Sequence, residues 1–280
     1  MSDNQSVLVT GASTGIGRAC ALHLAQTGFR VLAAVRKEAD AERLTSGAPP
    51  LLEPVILDVT QASTIEAARQ RIESAGGTLW GLVNNAGVAV GGPLQHVSLD
   101  DWRRQFEVNL FGLAEVTRQM LPLLRQSKGR VVNISSNSGV IATPFLAPYC
   151  ASKFAVEAYT AALRQELRPH GVFACTIEPG AIQSEIWDKG ASMIDEIGGN
   201  EAVMGDYGEA IRAMERHVQQ QKKAAIPAHE VARRAHHALT SRRPRTVYTV
   251  GFDARLSRWL RWLLGDRSLE WLLRRLMGLS

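Results

Sequence analysis

Tyr149 and Lys153 stand four residues apart in the stretch PYCASK, Pro148 to Lys153. That spacing places two side chains on one face of a helix, and a proline suits a first helical turn. A phenol with an ordinary pKa of about 10 exchanges protons poorly at neutral pH. An ammonium on the same face favours the phenolate and lowers that value. The pair could therefore pass a proton to and from a substrate oxygen. The same six residues also suit a plain surface helix, so their chemistry depends on what the chain places beside them.

A second candidate lies near the start. In VTGASTGIGRA, Gly11, Gly15 and Gly17 follow an apolar strand at once and open a helix. Glycines there permit a tight turn and close approach of backbone to a phosphate, which the free N–H groups of the new helix then bind. A second strand, VLAAV, follows about twenty residues on, as a dinucleotide site requires. An acidic residue at its end commonly holds an NAD ribose. This chain has Val35 there, then Arg36 and Lys37. A planar guanidinium suits a 2′-phosphate, so NADP(H) is the expected cofactor and NAD(H) the alternative.

The elements that must position these groups alternate in type. VLVT (7–10), RVLAAV (30–35), PVILD (54–58), GLVNN (81–85), RVVNIS (130–135), FACTIE (173–178) and TVYTV (246–250) read as strands. Segments of helical length separate them, among them one long helix beginning LDDWRRQFEVNLFGL. Strands that are apolar throughout fit a parallel sheet covered on both faces. The pattern predicts one doubly wound α/β domain over residues 1–251, with a sheet of about seven strands. An interval of about 184–225 breaks the rhythm and predicts a helical lid over a site.

In order along the chain stand TGASTGIG at 10–17, LDVT at 57–60, NNAG at 84–87, Asn109, Ser136, Tyr149 with Lys153, and PG at 179–180. Together these resemble the short-chain dehydrogenase/reductase family over roughly residues 5–250. The IEPGAI stretch and the tail also look like its branch of retinol and type 2-like 17β-hydroxysteroid dehydrogenases, whose members often use NAD. The resemblance implies a Rossmann fold and an oxidoreductase with Tyr149 as general acid or base. It implies that Lys153 lowers the phenol pKa and binds the nicotinamide ribose, that Ser136 holds the reacting oxygen, and that Asn109 holds a proton-relaying water. For the cofactor it implies Ser13, Thr14 and Ile16 in the glycine turn and Asp58 and Val59 at the adenine. Asn85, Ala86 and Gly87 would line the adenine-ribose side, and Pro179, Gly180, Ile182 and Ser184 would meet the nicotinamide half. It also implies a homodimer or homotetramer.

The loops VAVGGPL and GVIATPFLAP carry many apolar residues and few charges, which suits a hydrophobic ketone, aldehyde or alcohol of steroid, retinoid or lipid-like type. The alternatives are an NAD-dependent dehydrogenase working oxidatively and a dinucleotide-binding sensor without turnover. A sensor has no need of an activated phenol.

Charge and composition narrow the partners. The net charge of +5 is concentrated from Arg242 onward, where nine arginines face three acidic residues. A nucleic-acid-binding core is thus not expected, and a basic extension over 252–280 is. In that extension Leu256, Trp259, Leu260 and Leu263 share one helical face, which suits a membrane interface, a subunit contact or a cover over the site. Three cysteines without metal-type spacing, seven scattered histidines and no apolar run of about 18 residues predict no metal and no membrane span. The opening MSDNQSVLVTGAS shows no secretory leader, so a cytoplasmic protein, peripheral at most, is expected.

Overall fold

The computed structural model describes residues 5–75, 77–184 and 201–276. Its seven strands are β1 (Ser6–Val9), β2 (Arg30–Val35), β3 (Leu52–Ile56), β4 (Leu79–Asn84), β5 (Arg130–Ile134), β6 (Phe173–Pro179) and β7 (Val247–Val250). They form one sheet in the order β3-β2-β1-β4-β5-β6-β7, and every pair is parallel. The order reverses between β1 and β4, which opens a crevice at the strand ends where ligands of such sheets bind.

Side-chain alternation explains why the strands are apolar throughout. Val7 and Val9 pack on one face against Cys20, Leu24, Val231 and Leu239. Leu8, between them, packs on the other against Ile65, Met120, Leu124 and Leu163. The first layer comes from α1 (Gly15–Gln26) and α8 (His229–Thr240), the second from α3 (Ala62–Ser74), α5 (Leu113–Ser127) and α6 (Ala147–Leu167). The short α2 (Glu38–Thr45) lies between β2 and β3.

The long helix expected from Leu99 is continuous but not uniform. It runs as α4 (Leu99–Phe106), a π turn (Glu107–Gly112) and α5. Such turns often mark functional sites in helices. Here the turn carries Asn109, and Gly112 lets it press on Val59: a Cβ at Gly112 would stand 2.8 Å from the Val59 carbonyl oxygen.

Of the expected lid, residues 185–200 lie outside the described residues. The remainder is α7 (Glu201–Ala224). Its base is pinned by a parallel bridge between Ile182 and Ile226, with Gln183 N–H donating to the Ile226 carbonyl at 2.9 Å and Ile226 N–H to Ala181 at 3.0 Å. Farther along, the Tyr207 hydroxyl donates to Gln95 at 3.2 Å and its ring meets Phe145 edge-on at 6.3 Å. The lid helix is thereby held over the ends of the strands.

The tail forms two helices, α9 (Phe252–Leu263) and α10 (Asp266–Leu276), with Leu264 and Gly265 between them. Two acid contacts dock α9 on the end of β6. Asp253 accepts the Ala181 N–H at 2.7 Å, in space that a side chain at Gly180 would fill. Arg258 pairs with Glu178, which is 1% exposed. Burial, then the neighbouring Glu157 carboxyl, raise Glu178 above the usual carboxylate range, and Arg258 opposes them.

Removing Arg258 leaves a buried carboxylate without its cation, which is destabilising. Arg258→Ala is expected to lower unfolding stability by about 1–3 kcal/mol near pH 8. A carboxyl whose folded pKa lies above its unfolded one is stabilised as pH falls through the folded value. The deficit in urea unfolding should therefore shrink toward about pH 5; a pH-independent deficit would show that Glu178 is not the group Arg258 serves.

Candidate active site

Three strand ends bring the chemistry together. Ser136 follows β5 and caps the short turn after it, its hydroxyl accepting the Ser138 N–H at 3.1 Å. Tyr149 and Lys153 lie one turn apart at the start of α6, which has proline in its first turn. The Lys153 ammonium is 5.8 Å from the centre of the Tyr149 ring and donates to the Ile134 carbonyl, the last of β5, at 2.9 Å. The predicted helical spacing and shared face are therefore present, and Ser136 joins them.

The electrostatics differ from the expectation built on the pair alone. Burial raises the Tyr149 phenol above its ordinary value, while a hydrogen bond with Ser136 draws it down. Burial also lowers the Lys153 ammonium to about 8, with the Glu157 carboxyl opposing that fall. Desolvation disfavours the charged form of each group, and it outweighs their proximity. At neutral pH the phenol is thus a protonated donor beside a lysine that still holds most of its charge.

A polar network fixes these groups from behind. Ser152, between them in sequence, donates to the Tyr149 carbonyl at 2.7 Å and accepts from Asn109 at 3.2 Å and from Gln105 at 3.3 Å. Asn109 also accepts the Val88 N–H at 2.8 Å and donates to the Val88 carbonyl at 3.0 Å. Both amide hydrogens and one lone pair of the amide oxygen are thereby used. Gln105 escaped sequence reasoning, although a glutamine at full burial needs partners just as Asn109 does.

The glycine turn makes a cradle. Gly11 and Gly15 have positive φ, 64° and 53°, and a Cβ at Gly17 would overlap the Gly11 carbonyl and the Asn85 amide. The Asn85 amide donates to the Thr10 and Gly11 carbonyls at 3.0 and 3.1 Å. It braces the turn with its side chain and leaves Ala86 and Gly87 as backbone. Thr14, the residue before α1, makes no side-chain cap, so no side chain of the cap competes for the first N–H groups of the helix. Asp58 holds Thr60 with one carboxylate oxygen, at 3.0 and 2.8 Å, leaving the other for a ligand. Arg36 and Lys37 are exposed at the end of β2. A cradle that a Cβ would fill, an uncapped helix and two exposed cations fit a dinucleotide.

Pro179 and Gly180 end β6, and Ile182 and Ser184 continue toward the cradle, where a Cβ at Gly15 would stand 3.1 Å from Ser184. Between these residues and the lid lies a cavity of ≈ 290 Å³. Ser136 and Tyr149 line it with Phe145, Leu146 and Ala181 on the scaffold side and Ile211, Met214 and Val218 on the lid. Of the apolar loop residues expected around a substrate, Phe145 and Leu146 line it, Ile141 and Val90 are buried in the scaffold, and Leu94 is exposed. Phe145 holds a positive φ of 63°, uncommon for a bulky residue, and its carbonyl accepts the Gly92 N–H at 2.7 Å.

Other candidates take structural places. Cys20, Cys150 and Cys175 are free and buried, and burial raises each thiol, Cys20 and Cys175 to about 12. His23, His229 and His236, distant in sequence, meet ring to ring at 5.0 and 5.5 Å. Among the described residues no group of three or more side chains could hold a metal ion.

Residues 5–195 match the family model described as short chain dehydrogenase. The chain is 38% identical over 270 residues to an NADPH-dependent 3-dehydrocapnine reductase of Ornithobacterium rhinotracheale, covering 94% of both. It is 38% identical over 266 residues to retinol dehydrogenase 16 of Mus musculus, covering 89% of this chain and 81% of that one. A short-chain dehydrogenase from Streptomyces avermitilis has the same fold, with a TM-score of 0.79, 26% identity and full coverage of both chains. The chain belongs to the short-chain dehydrogenase family. It is an oxidoreductase of that family, working with a nicotinamide dinucleotide.

Proposed function

We propose that this enzyme reduces a lipophilic ketone or aldehyde to its alcohol with NADPH. The observation that carries the direction is the half-buried Tyr149 against a cavity lined mainly by apolar side chains, where desolvation raises the phenol and so favours its proton-donating form. The dihydronicotinamide, when bound, supplies the hydride. Tyr149 gives its phenolic proton to the carbonyl oxygen, and Ser136 hydrogen-bonds the same oxygen and orients it. Lys153 keeps two N–H donors beyond the one given to Ile134, enough to hold the ribose and to stabilise the phenolate that forms. Recharging that phenolate falls to the Lys153 side of the network and a water held at Asn109. Proton transfer of this kind contributes typically 10²–10⁴-fold.

The choice of NADPH rests on Arg36 and Lys37, which stand exposed just after Val35, the position where an acid would hold an NAD ribose. It agrees with the cofactor in the name of the Ornithobacterium relative. The retinol and steroid dehydrogenases among the relatives are in keeping with a lipophilic substrate.

The tail supports a second, peripheral property. Trp259, Trp262, Leu263 and Trp271 are exposed among Arg255, Arg261, Arg267, Arg274 and Arg275, and this mixture fits an anionic membrane surface. No described helix is long and apolar enough to cross a membrane.

Tyr149→Phe is expected to bind NADPH normally, by fluorescence titration, and to lose at least 10²-fold in ketone reduction; substantial residual turnover would sink the mechanism. Arg36→Ala should weaken NADPH about tenfold or more and leave NADH nearly unchanged; equal losses would remove the cofactor argument. In flotation with vesicles containing anionic lipid, the full chain should rise with the vesicles, and Trp259→Ala/Trp262→Ala should not. Equal flotation of both would place the contact elsewhere.

A further inference from the structure

Tyr149 and Ser136 serve one end of a substrate, yet the cavity has a second polar position that they do not use. His217 and Gln221 project from the lid helix α7 into the same cavity, one helical turn apart, among Ile211, Met214 and Val218. Their side-chain nitrogens lie 3.4 Å apart, a long hydrogen bond that leaves most of the capacity of both groups unspent. No Asp, Glu, Lys or Arg appears among the described residues that line the cavity. A half-buried imidazole whose one polar neighbour is Gln221 would be a poor choice for a purely hydrophobic wall, since its polar atoms lose water for a single long contact.

We infer that His217 and Gln221 form a second anchor in the substrate cavity, selecting lipophilic ketones that carry a hydroxyl group remote from the carbonyl. The inference rests on the carbonyl-reductase reading and adds the substrate class. A neutral imidazole beside an amide offers a donor and an acceptor together, which is the pair a hydroxyl needs. Burial lowers the His217 imidazole, so it is uncharged at neutral pH. An anionic group would therefore meet no cation there, and an ammonium would meet no carboxylate. Placement on the lid also ties recognition to closure, because a bound hydroxyl holds α7 down over the reacting carbonyl.

The test uses the full chain with NADPH and two rigid polycyclic ketones of one skeleton, such as a steroid monoketone and its remote hydroxyketone. Wild type is expected to prefer the hydroxyketone about tenfold in kcat/KM, mostly through KM, as one buried hydrogen bond provides. In His217→Phe the ratio should fall to about one, and His217→Asn should keep part of it. Gln221→Leu supplies an independent variant expected to lower the same ratio, and thermal melting with NADPH titration checks that each variant is folded. Turnover of both ketones without preference, or a preference that survives in folded His217→Phe and Gln221→Leu, overturns the anchor alone. Turnover of neither ketone overturns the carbonyl-reductase reading and the anchor with it.

Discussion

A buried ammonium is costly unless its protons find acceptors, and the active site is arranged around that constraint at Lys153. The lysine is 6% exposed and spends one proton on the last carbonyl of β5, the same strand end from which Ser136 follows. That bond fixes the start of α6 against the sheet and so fixes Tyr149. The network of Ser152, Asn109, Gln105 and Val88 holds the same turn from the opposite side. The π turn in the α4–α5 helix belongs to this solution, since it is where Asn109 leaves the regular helix to meet Val88 and Ser152.

Burial that disciplines the lysine also sets the chemistry. Taking the phenol out of water holds it protonated, and Ser136 only partly offsets this. A donor with its proton in place is what reduction of a carbonyl requires, whereas oxidation would need the phenolate first. Behind Lys153 the buried side continues through Glu157, which accepts from Thr176 at 3.0 Å, to Glu178 and Arg258. The tail is thus electrically part of the catalytic domain on its inner side, while its outer side carries exposed tryptophans.

The fold was legible in the sequence because its signals are local. Strands apolar throughout, glycines after the first of them and helical spacings between gave the sheet, the cofactor turn and the Tyr149–Lys153 face. The residues that resisted reading act through contacts made only in three dimensions. Asn85, expected on the adenine-ribose side, also braces the glycine turn through its amide. Glu178 sits in an apolar strand, an anomaly visible as a charge in FACTIEP, yet its partner Arg258 lies 80 residues away. Spacing suggested that Lys153 would depress the phenol pKa. It could not show that Lys153 is buried and Tyr149 half-buried, and desolvation decides the direction.

The central claim is that Tyr149 rests as a neutral proton donor. Difference absorbance of wild type minus Tyr149→Phe, followed across a pH titration, reports the ionisation of this one phenol. The midpoint is expected above the ordinary value of 10.0 in the protein without added nucleotide. A phenol already ionised near neutral pH would contradict it.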